Sequence, residues 1–136
     1  MTYKLGTRSK QKLSGVHPDL IMVVTKAISI STVDFTILEG IRSVSRQREL
    51  YKAGKSTTMN SRHITGHAID LAPYPTNADF DSDGVLNIHD WDEYYPIADA
   101  MKEAAEDLDI SIDWGGDWKS FPDGPHFQLS RKDYPA

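Results

Sequence analysis

The chain has 136 residues, of which 39% are hydrophobic and 26% charged, and this is enough for one domain with its own buried core. Its net charge of −5 argues against nucleic acid or an anionic membrane surface as a partner, and the absence of cysteine excludes disulfides and thiolate metal sites. No apolar stretch reaches membrane-spanning length, and the opening MTYKLGTRSKQKL contains no apolar signal core. We therefore expect a protein that is made in the cytoplasm without a signal peptide.

The first half of the chain predicts a helix, a strand and a second helix. Residues 17–31 carry apolar side chains at helical spacing, and Pro18 suits the first turn of a helix. Residues 34–41 predict a strand in which Phe35, Ile37 and Glu39 share one face. Residues 43–54 predict a short helix that ends at a glycine.

The second half adds further strands around one long helix. Residues 67–72 predict a strand that nearby prolines end, and residues 88–109 predict a helix that Pro96 either starts or kinks. Residues 110–116 and 126–130 predict the closing strands. Because helices and strands do not alternate regularly, their order predicts an α+β fold with a small antiparallel sheet and flanking helices.

The segment SRHITGHAID, residues 61–70, concentrates groups that bind metals. Asp70 lies in an apolar strand, where an unpaired carboxylate is costly to bury. His63 lies seven residues earlier, across a Thr-Gly turn, and His126 opens the last predicted strand. Two histidines and one aspartate suffice for a catalytic zinc ion and leave its fourth position for water. For any single histidine a surface or hydrogen-bonded role is the more common one, and this is our interpretation of His17 and His89.

Three motifs together resemble one enzyme family. SRHITGHAID matches Ser-x-His-x-x-Gly-x-Ala-x-Asp, the signature of the zinc peptidoglycan peptidases that include D-alanyl-D-alanine carboxypeptidases and VanY-type enzymes. GIRSVSRQRELYKAG and DGPHF resemble two further elements of this family, in the expected order. The opening SKQKLSGVHPDLIMVVTKAI is similar to the start of single-domain phage L-alanyl-D-glutamate endopeptidase endolysins. The resemblance therefore covers nearly the whole chain and implies a hedgehog/D-Ala-D-Ala-peptidase-like fold.

The resemblance also implies roles for individual residues. It implies that zinc is held by His63, Asp70 and His126. Asp123 matches the catalytic acid/base, for which the alternative is a turn aspartate in PDGP. Arg42 matches an arginine that contacts the substrate carbonyl or the developing oxyanion, for which the alternative is a salt bridge at a helix start. Ser61 and Gln47 match motif positions that surround the metal or position the substrate, and His67 falls at a variable position outside the metal set.

The segment WGGDW precedes the last motif. Its paired glycines predict a close backbone approach, and Asp117 is a candidate to orient a ligand histidine. For the tryptophans themselves we favour a core cluster over a wall of the site.

The segment DFDSDGVLNIHD resembles a calcium-binding loop. Counted as an EF-hand loop, its ligands are Asp79, Asp81, Asp83, the carbonyl of Val85, Asn87 and Asp90. The twelfth position is aspartate rather than glutamate, and no helix is predicted to enter the loop. The alternative is a solvated acidic turn. We expect one catalytic domain, residues 1–136, with a calcium-loop insertion at about residues 79–90 that orders the connection behind Asp70.

These observations predict a zinc metallopeptidase that cleaves the L-alanyl-D-glutamate bond of peptidoglycan stem peptides. We expect a monomeric phage endolysin that reaches the cell wall after release, through a holin, and that has no membrane or nucleic-acid partner. The alternatives are a bacterial D,D- or L,D-carboxypeptidase and a zinc-containing binding module without catalysis.

Overall fold

The computed structural model describes residues 2–54, 61–74, 92–119 and 122–135. Within them the elements follow the order α1 (Thr7–Lys12), α2 (Pro18–Ile30), β1 (Phe35–Glu39), α3 (Val44–Lys52), β2 (Ala68–Pro73), α4 (Tyr94–Leu108), β3 (Ile112–Trp114) and β4 (His126–Leu129). A 3₁₀ turn, Gly115–Asp117, follows β3. The predicted calcium loop at residues 79–90 and His89 lie outside the described residues.

The four strands form one sheet in the order β1-β2-β4-β3, and each neighbouring pair is antiparallel. The predicted α+β fold with a small antiparallel sheet and flanking helices is thereby confirmed. None of the described helices combines the length and the apolar character that crossing a membrane requires.

The helices begin where the sequence offers caps. His17 Nδ1 accepts a hydrogen bond from the Asp19 amide at 3.1 Å, and Pro18 occupies the first turn of α2. Ser43 Oγ accepts one from the Arg46 amide at 3.0 Å at the start of α3. Helix α4 begins at Tyr94, so Pro96 lies in its first turn, where its missing N–H is tolerated. Helix α1 is not predicted from the sequence, because six polar residues carry no apolar stripe.

The two faces of the sheet have different neighbours. On one face, side chains of the sheet pack into the core with the buried stripes of α2 and α4; these sheet residues are Ile37, Ile69, Leu71, Phe127 and Leu129. Because side chains alternate along a strand, Asp70, His126 and Gln128 point to the opposite face. The core therefore fixes the backbone that carries the polar face.

Strand β1 departs from regular pairing at its end. Ile37 pairs with Leu71, whereas Glu39 pairs with Asp70, so two residues of β1 advance against one of β2. This β-bulge takes Glu39 out of the alternation that the sequence predicts, in which it shares a face with Ile37. Glu39 instead lies in register with the polar face of the sheet.

Candidate metal centre

Three side chains converge on the polar face of the sheet. Asp70 Oδ1 lies 3.2 Å from His63 Nε2 and 3.2 Å from His126 Nδ1. One ligand atom from each residue can be chosen so that all lie within 4.8 Å of one another. The imidazole rings of His63 and His126 are 5.1 Å apart and nearly perpendicular. Among the described residues, this is the group of histidine and carboxylate side chains that can hold a metal ion.

Backbone pairing brings two of these residues together. Asp70 on β2 and His126 on β4 are direct partners in the antiparallel register. In such a pair the Cβ atoms of facing residues are about 4.5–5.5 Å apart, so the side chains meet without any loop movement.

The third residue, His63, comes from the loop before β2. This loop turns at Gly66, whose φ of +78° is a conformation that favours glycine. A Cβ atom at Gly66 would lie 2.7 Å from the carbonyl oxygen of Gly15. The Gly66 carbonyl also accepts a hydrogen bond from the His17 amide at 2.8 Å. The glycine of the motif therefore docks the loop against the turn before α2 and holds His63 over the sheet.

The outer nitrogen of each imidazole has its own acceptor. His63 Nδ1 donates to the Gly40 carbonyl at 2.9 Å, and His126 Nε2 donates to Gln128 Oε1 at 2.8 Å. With those protons in place, each neutral ring directs a lone pair towards the Asp70 carboxylate. Two lone pairs and a carboxylate facing one another repel unless a cation lies between them. The donor set therefore fits a divalent metal ion, with outer partners of the kind that orient metal-binding histidines.

The charges in this group perturb one another's protonation. Burial alone would raise the pKa of Asp70, but the neighbouring His63 and His126 outweigh it and hold that pKa well below its usual range. Burial opposes protonation of His126, yet the hydrogen bond and charge of Asp70 raise its pKa. The aspartate is therefore ionised at neutral pH, as a metal ligand must be.

Asp123 lies beside this group, just before β4. Burial, followed by the nearby Asp70 charge, raises its pKa to about 6. Its amide donates to the Gly115 carbonyl at 2.9 Å, and its own carbonyl accepts from the His126 amide at 3.2 Å. A Cβ atom at Gly115 would lie 3.1 Å from the Cβ atoms of both Asp123 and His126. The close approach predicted for the WGGDW segment therefore occurs at Gly115.

Arg42 borders the same face. Its Nε donates to Glu39 Oε1 at 2.6 Å, its Nη1 donates to Gln47 Oε1 at 2.6 Å, and its Nη2 lies 3.9 Å from Asp70 Oδ2. The Arg42 amide also donates to the His63 carbonyl at 2.9 Å. Gln47, fully buried on α3, thus contacts the guanidinium rather than the metal-binding group.

The remaining predicted residues lie further out. Ser61 Oγ accepts a hydrogen bond from the His63 amide at 3.2 Å, so it supports the loop backbone. Asp117, predicted as a candidate to orient a ligand histidine, instead pairs with Lys102 Nζ at 2.8 Å on the surface. The outer nitrogens of His63 and His126 bond to the Gly40 carbonyl and to Gln128. Trp114 is buried and stacks on Phe127, as predicted for a core residue. Trp118 does not join this core: it is 37% exposed, and its ring lies 5.0 Å from the His126 ring.

Sequence reasoning missed two residues of this site. Gln128 is two positions after His126 in the same strand, so strand alternation places both side chains on one face and was a usable signal. Glu39 gave no such signal, because its place beside Asp70 depends on the bulge in β1.

Comparison with known proteins gives a consistent result. Residues 1–133 match the family described as phage L-alanyl-D-glutamate peptidase. The chain is 33% identical over 137 residues to the L-alanyl-D-glutamate peptidase of Escherichia phage T5, covering 98% of this chain and 94% of that protein. It is 35% identical over 111 residues to the peptidoglycan L-alanyl-D-glutamate endopeptidase CwlK of Bacillus subtilis, covering 71% and 61%.

A solved structure resembles the whole chain. The crystal structure of the Serratia marcescens L-Ala D-Glu endopeptidase ChiX superposes with a TM-score of 0.85 at 46% sequence identity, covering 99% of this chain and 96% of that one. Because the family match extends over almost the full sequence, the chain belongs to the phage L-alanyl-D-glutamate peptidase family.

Proposed function

We propose that this protein is a zinc-dependent endopeptidase that hydrolyses the L-alanyl-D-glutamate bond of peptidoglycan stem peptides. Family membership and the activities for which the phage T5, Bacillus and Serratia relatives are named support the reaction and the substrate. The single observation that carries the proposal is the convergence of one ring nitrogen each from His63 and His126 on the Asp70 carboxylate, both at 3.2 Å.

Zinc is the metal that this donor set favours. His63, Asp70 and His126 would hold it through two nitrogens and one oxygen, which are donor types that zinc binds. Three protein ligands leave a coordination position open, as in catalytic rather than structural zinc sites. When bound, zinc would lower the pKa of water and polarise the scissile carbonyl.

Asp123 is suited to move the proton. Ionised, its carboxylate accepts a proton from the attacking water and then donates it to the leaving amine. A pKa of about 6 lies near neutrality, so the same group is effective in both directions. Its backbone bonds to Gly115 and His126 hold it at the edge of the metal-binding group.

Arg42 supplies positive charge at the same face of the sheet. Its guanidinium, 11% exposed, faces Asp70 and would stabilise the substrate carbonyl as negative charge develops on its oxygen. Gln47 and Ser61 support this arrangement indirectly, the first through Arg42 and the second through the loop of His63.

Mass spectrometry of digested peptidoglycan tests the reaction. The purified protein should release fragments with a new N-terminal D-glutamate, and Asp123→Ala should stop this release while its zinc content stays unchanged. Release of D-alanine instead would identify a carboxypeptidase, and zinc binding without any cleavage would identify a binding module.

We further propose that the chain forms one catalytic domain, residues 1–136, that acts as a monomer on the cell wall. A lytic role after release through a holin is part of this proposal. The relative from phage T5 supports a phage origin, whereas CwlK and ChiX show that bacteria also carry such peptidases. Clearing of outer-membrane-permeabilised Gram-negative cells by the purified protein tests the lytic role.

A calcium ion in the segment of residues 79–90 is a separate proposal, supported by the spacing of Asp79, Asp81 and Asp83. Its test is to titrate calcium against a selective chelator while zinc is kept present and cleavage is followed. A flat response would reject calcium regulation.

A further inference from the structure

Resting on the proposed function, we infer that Glu39 is a positioning residue for the reaction: its carboxylate holds the Arg42 guanidinium facing the candidate metal centre. Glu39 belongs to none of the three motifs that identify the family. Its part in the site follows from the bulge in β1 and from its contacts with Arg42.

The bulge explains why an acidic side chain lies here at all. Regular pairing after Ile37 and Leu71 would place Leu38 opposite Asp70, whereas the extra residue brings Glu39 there. Bulges are frequent next to active sites, where they redirect a side chain. Leu38 is left 36% exposed, which is consistent with a backbone arranged for the position of Glu39.

The hydrogen bonds of Arg42 show how firmly it is held. A guanidinium has five N–H donors, and here Nε and Nη2 both contact Glu39 Oε1 while Nη1 donates to Gln47. Of the three guanidinium nitrogens that contact Glu39 or Gln47, two contact Glu39. The planar fork leaves one N–H on each terminal nitrogen, and Nη2 lies 3.9 Å from Asp70 Oδ2.

A direct effect of Glu39 on the metal-binding group is the rival explanation. Glu39 Oε1 lies 3.9 Å from His63 Nδ1, which is beyond hydrogen-bond distance. That nitrogen already donates to the Gly40 carbonyl at 2.9 Å. Glu39 should therefore act through Arg42 and leave metal affinity unchanged.

A double-mutant cycle separates the two explanations. The values of kcat and KM are measured for the wild type, Glu39→Gln, Arg42→Met and the double variant, each with zinc bound. We expect Glu39→Gln to lower kcat by about 10- to 100-fold, since misplacing a catalytic group by about 1 Å can cost that much. The double variant should be no slower than Arg42→Met, because Glu39 has nothing left to position. Glu49→Gln is the matched control, since Glu49 is exposed on α3 and pairs with Arg46.

A second readout does not depend on activity. In the wild type and in Glu49→Gln, the Arg42 Nε–H proton should exchange slowly with water and give a sharp signal in ¹⁵N NMR spectra. In Glu39→Gln this signal should be lost or broadened. If Glu39→Gln loses the Nε–H signal but the wild type cleaves nothing, the Glu39–Arg42 contact is established and the proposed function is overturned.

Several results would overturn the inference about Glu39. These are a Glu39→Gln variant with wild-type kcat, losses that multiply in the double variant, an Arg42→Met variant with full activity, or reduced zinc affinity in Glu39→Gln. An Arg42 Nε–H signal that is unchanged in Glu39→Gln would also overturn it.

Discussion

Asp70 and His126 face each other across β2 and β4, and Asp70 Oδ1 lies 3.2 Å from His126 Nδ1. This contact depends on the register of the sheet, which the buried partners Ile69 and Phe127 fix from the opposite face. The core of the protein therefore sets the spacing of two of the three candidate ligands, and a one-residue slip of β2 against β4 would turn Asp70 away from His126 and into the core.

Removing a candidate ligand should remove the metal. Asp70→Asn and His126→Ala should each lose zinc on dialysis and weaken its affinity by more than the roughly 10- to 100-fold expected for loss of an outer partner. Metal analysis and calorimetric titration measure this. His67→Ala is the control, since His67 lies in the same motif but contacts Thr65 and the His17 ring. Wild-type zinc content in both ligand variants would contradict the proposed centre.

Gln128 should tune the centre without binding it. Gln128→Leu removes the acceptor of His126 Nε2–H, so the ring loses its fixed orientation and tautomer. We expect zinc affinity to fall about 10- to 100-fold, as for other outer partners of metal-bound histidines. Competition with a chromophoric chelator measures the change. Affinity equal to that of the wild type would show that Gln128 does not orient the ligand.

Acidification should reduce cleavage as Asp123 becomes protonated. A base must be ionised to accept a proton, and with a pKa near 6 the ionised fraction falls as the pH drops through this value. Asp123→Asn should lower kcat by about 100- to 10,000-fold with zinc still bound. Bound zinc is measured at each pH, because protonation of His126 also opposes metal binding. Full activity at pH 5 with zinc in place would exclude Asp123 as the base.

The same carboxylate should influence the stability of the metal-free protein. The pKa of the Asp123 carboxyl is raised in the folded state from 3.8 to about 6, so the folded protein favours its protonated form. The stability that this group contributes is therefore present below pH 3.8 and is lost as the pH rises through about 6. Asp123→Asn should therefore stabilise the metal-free protein at pH 7, by about 1–2 kcal/mol after solvent screening of a half-buried group. Urea unfolding at pH 7 and pH 3.5 tests this, and a gain of equal size at both values would contradict it.

Gly115 should be intolerant of any side chain. In Gly115→Ala the new Cβ atom would collide with the Asp123 carbonyl and crowd His126, so we expect a loss of about 1–3 kcal/mol in the free energy of unfolding. Cleavage should fall further than stability alone explains, because Asp123 is displaced. Gly6→Ala is the control, since a Cβ atom there meets nothing within 4 Å. Wild-type stability and cleavage in Gly115→Ala would show that this approach is not required.

Much of this protein could be predicted from the sequence. The family, the α+β fold and the enzyme class are confirmed, and the structure brings together His63, Asp70 and His126, the set that the family resemblance implies. The motif is informative because strand alternation and one glycine turn are enough to orient these side chains.

The parts that were missed depend on tertiary structure. The bulge that moves Glu39 beside Asp70 leaves no mark in the periodicity of β1, and α1 is held by contacts such as Ser9 Oγ to the Ile37 amide rather than by an apolar stripe. Asp117 is close in sequence to the last motif, but Lys102 on α4 provides its partner. Sequence spacing alone does not show which cation a surface carboxylate meets.

Stepwise return of zinc to the chelated protein tests the central claim most directly, with bound zinc and the appearance of N-terminal D-glutamate measured in the same samples. Cleavage should be absent at the start, rise in proportion to bound zinc and level off at one ion per chain. Full cleavage by metal-free protein, or no recovery once one zinc ion is bound per chain, would contradict a single catalytic centre at His63, Asp70 and His126.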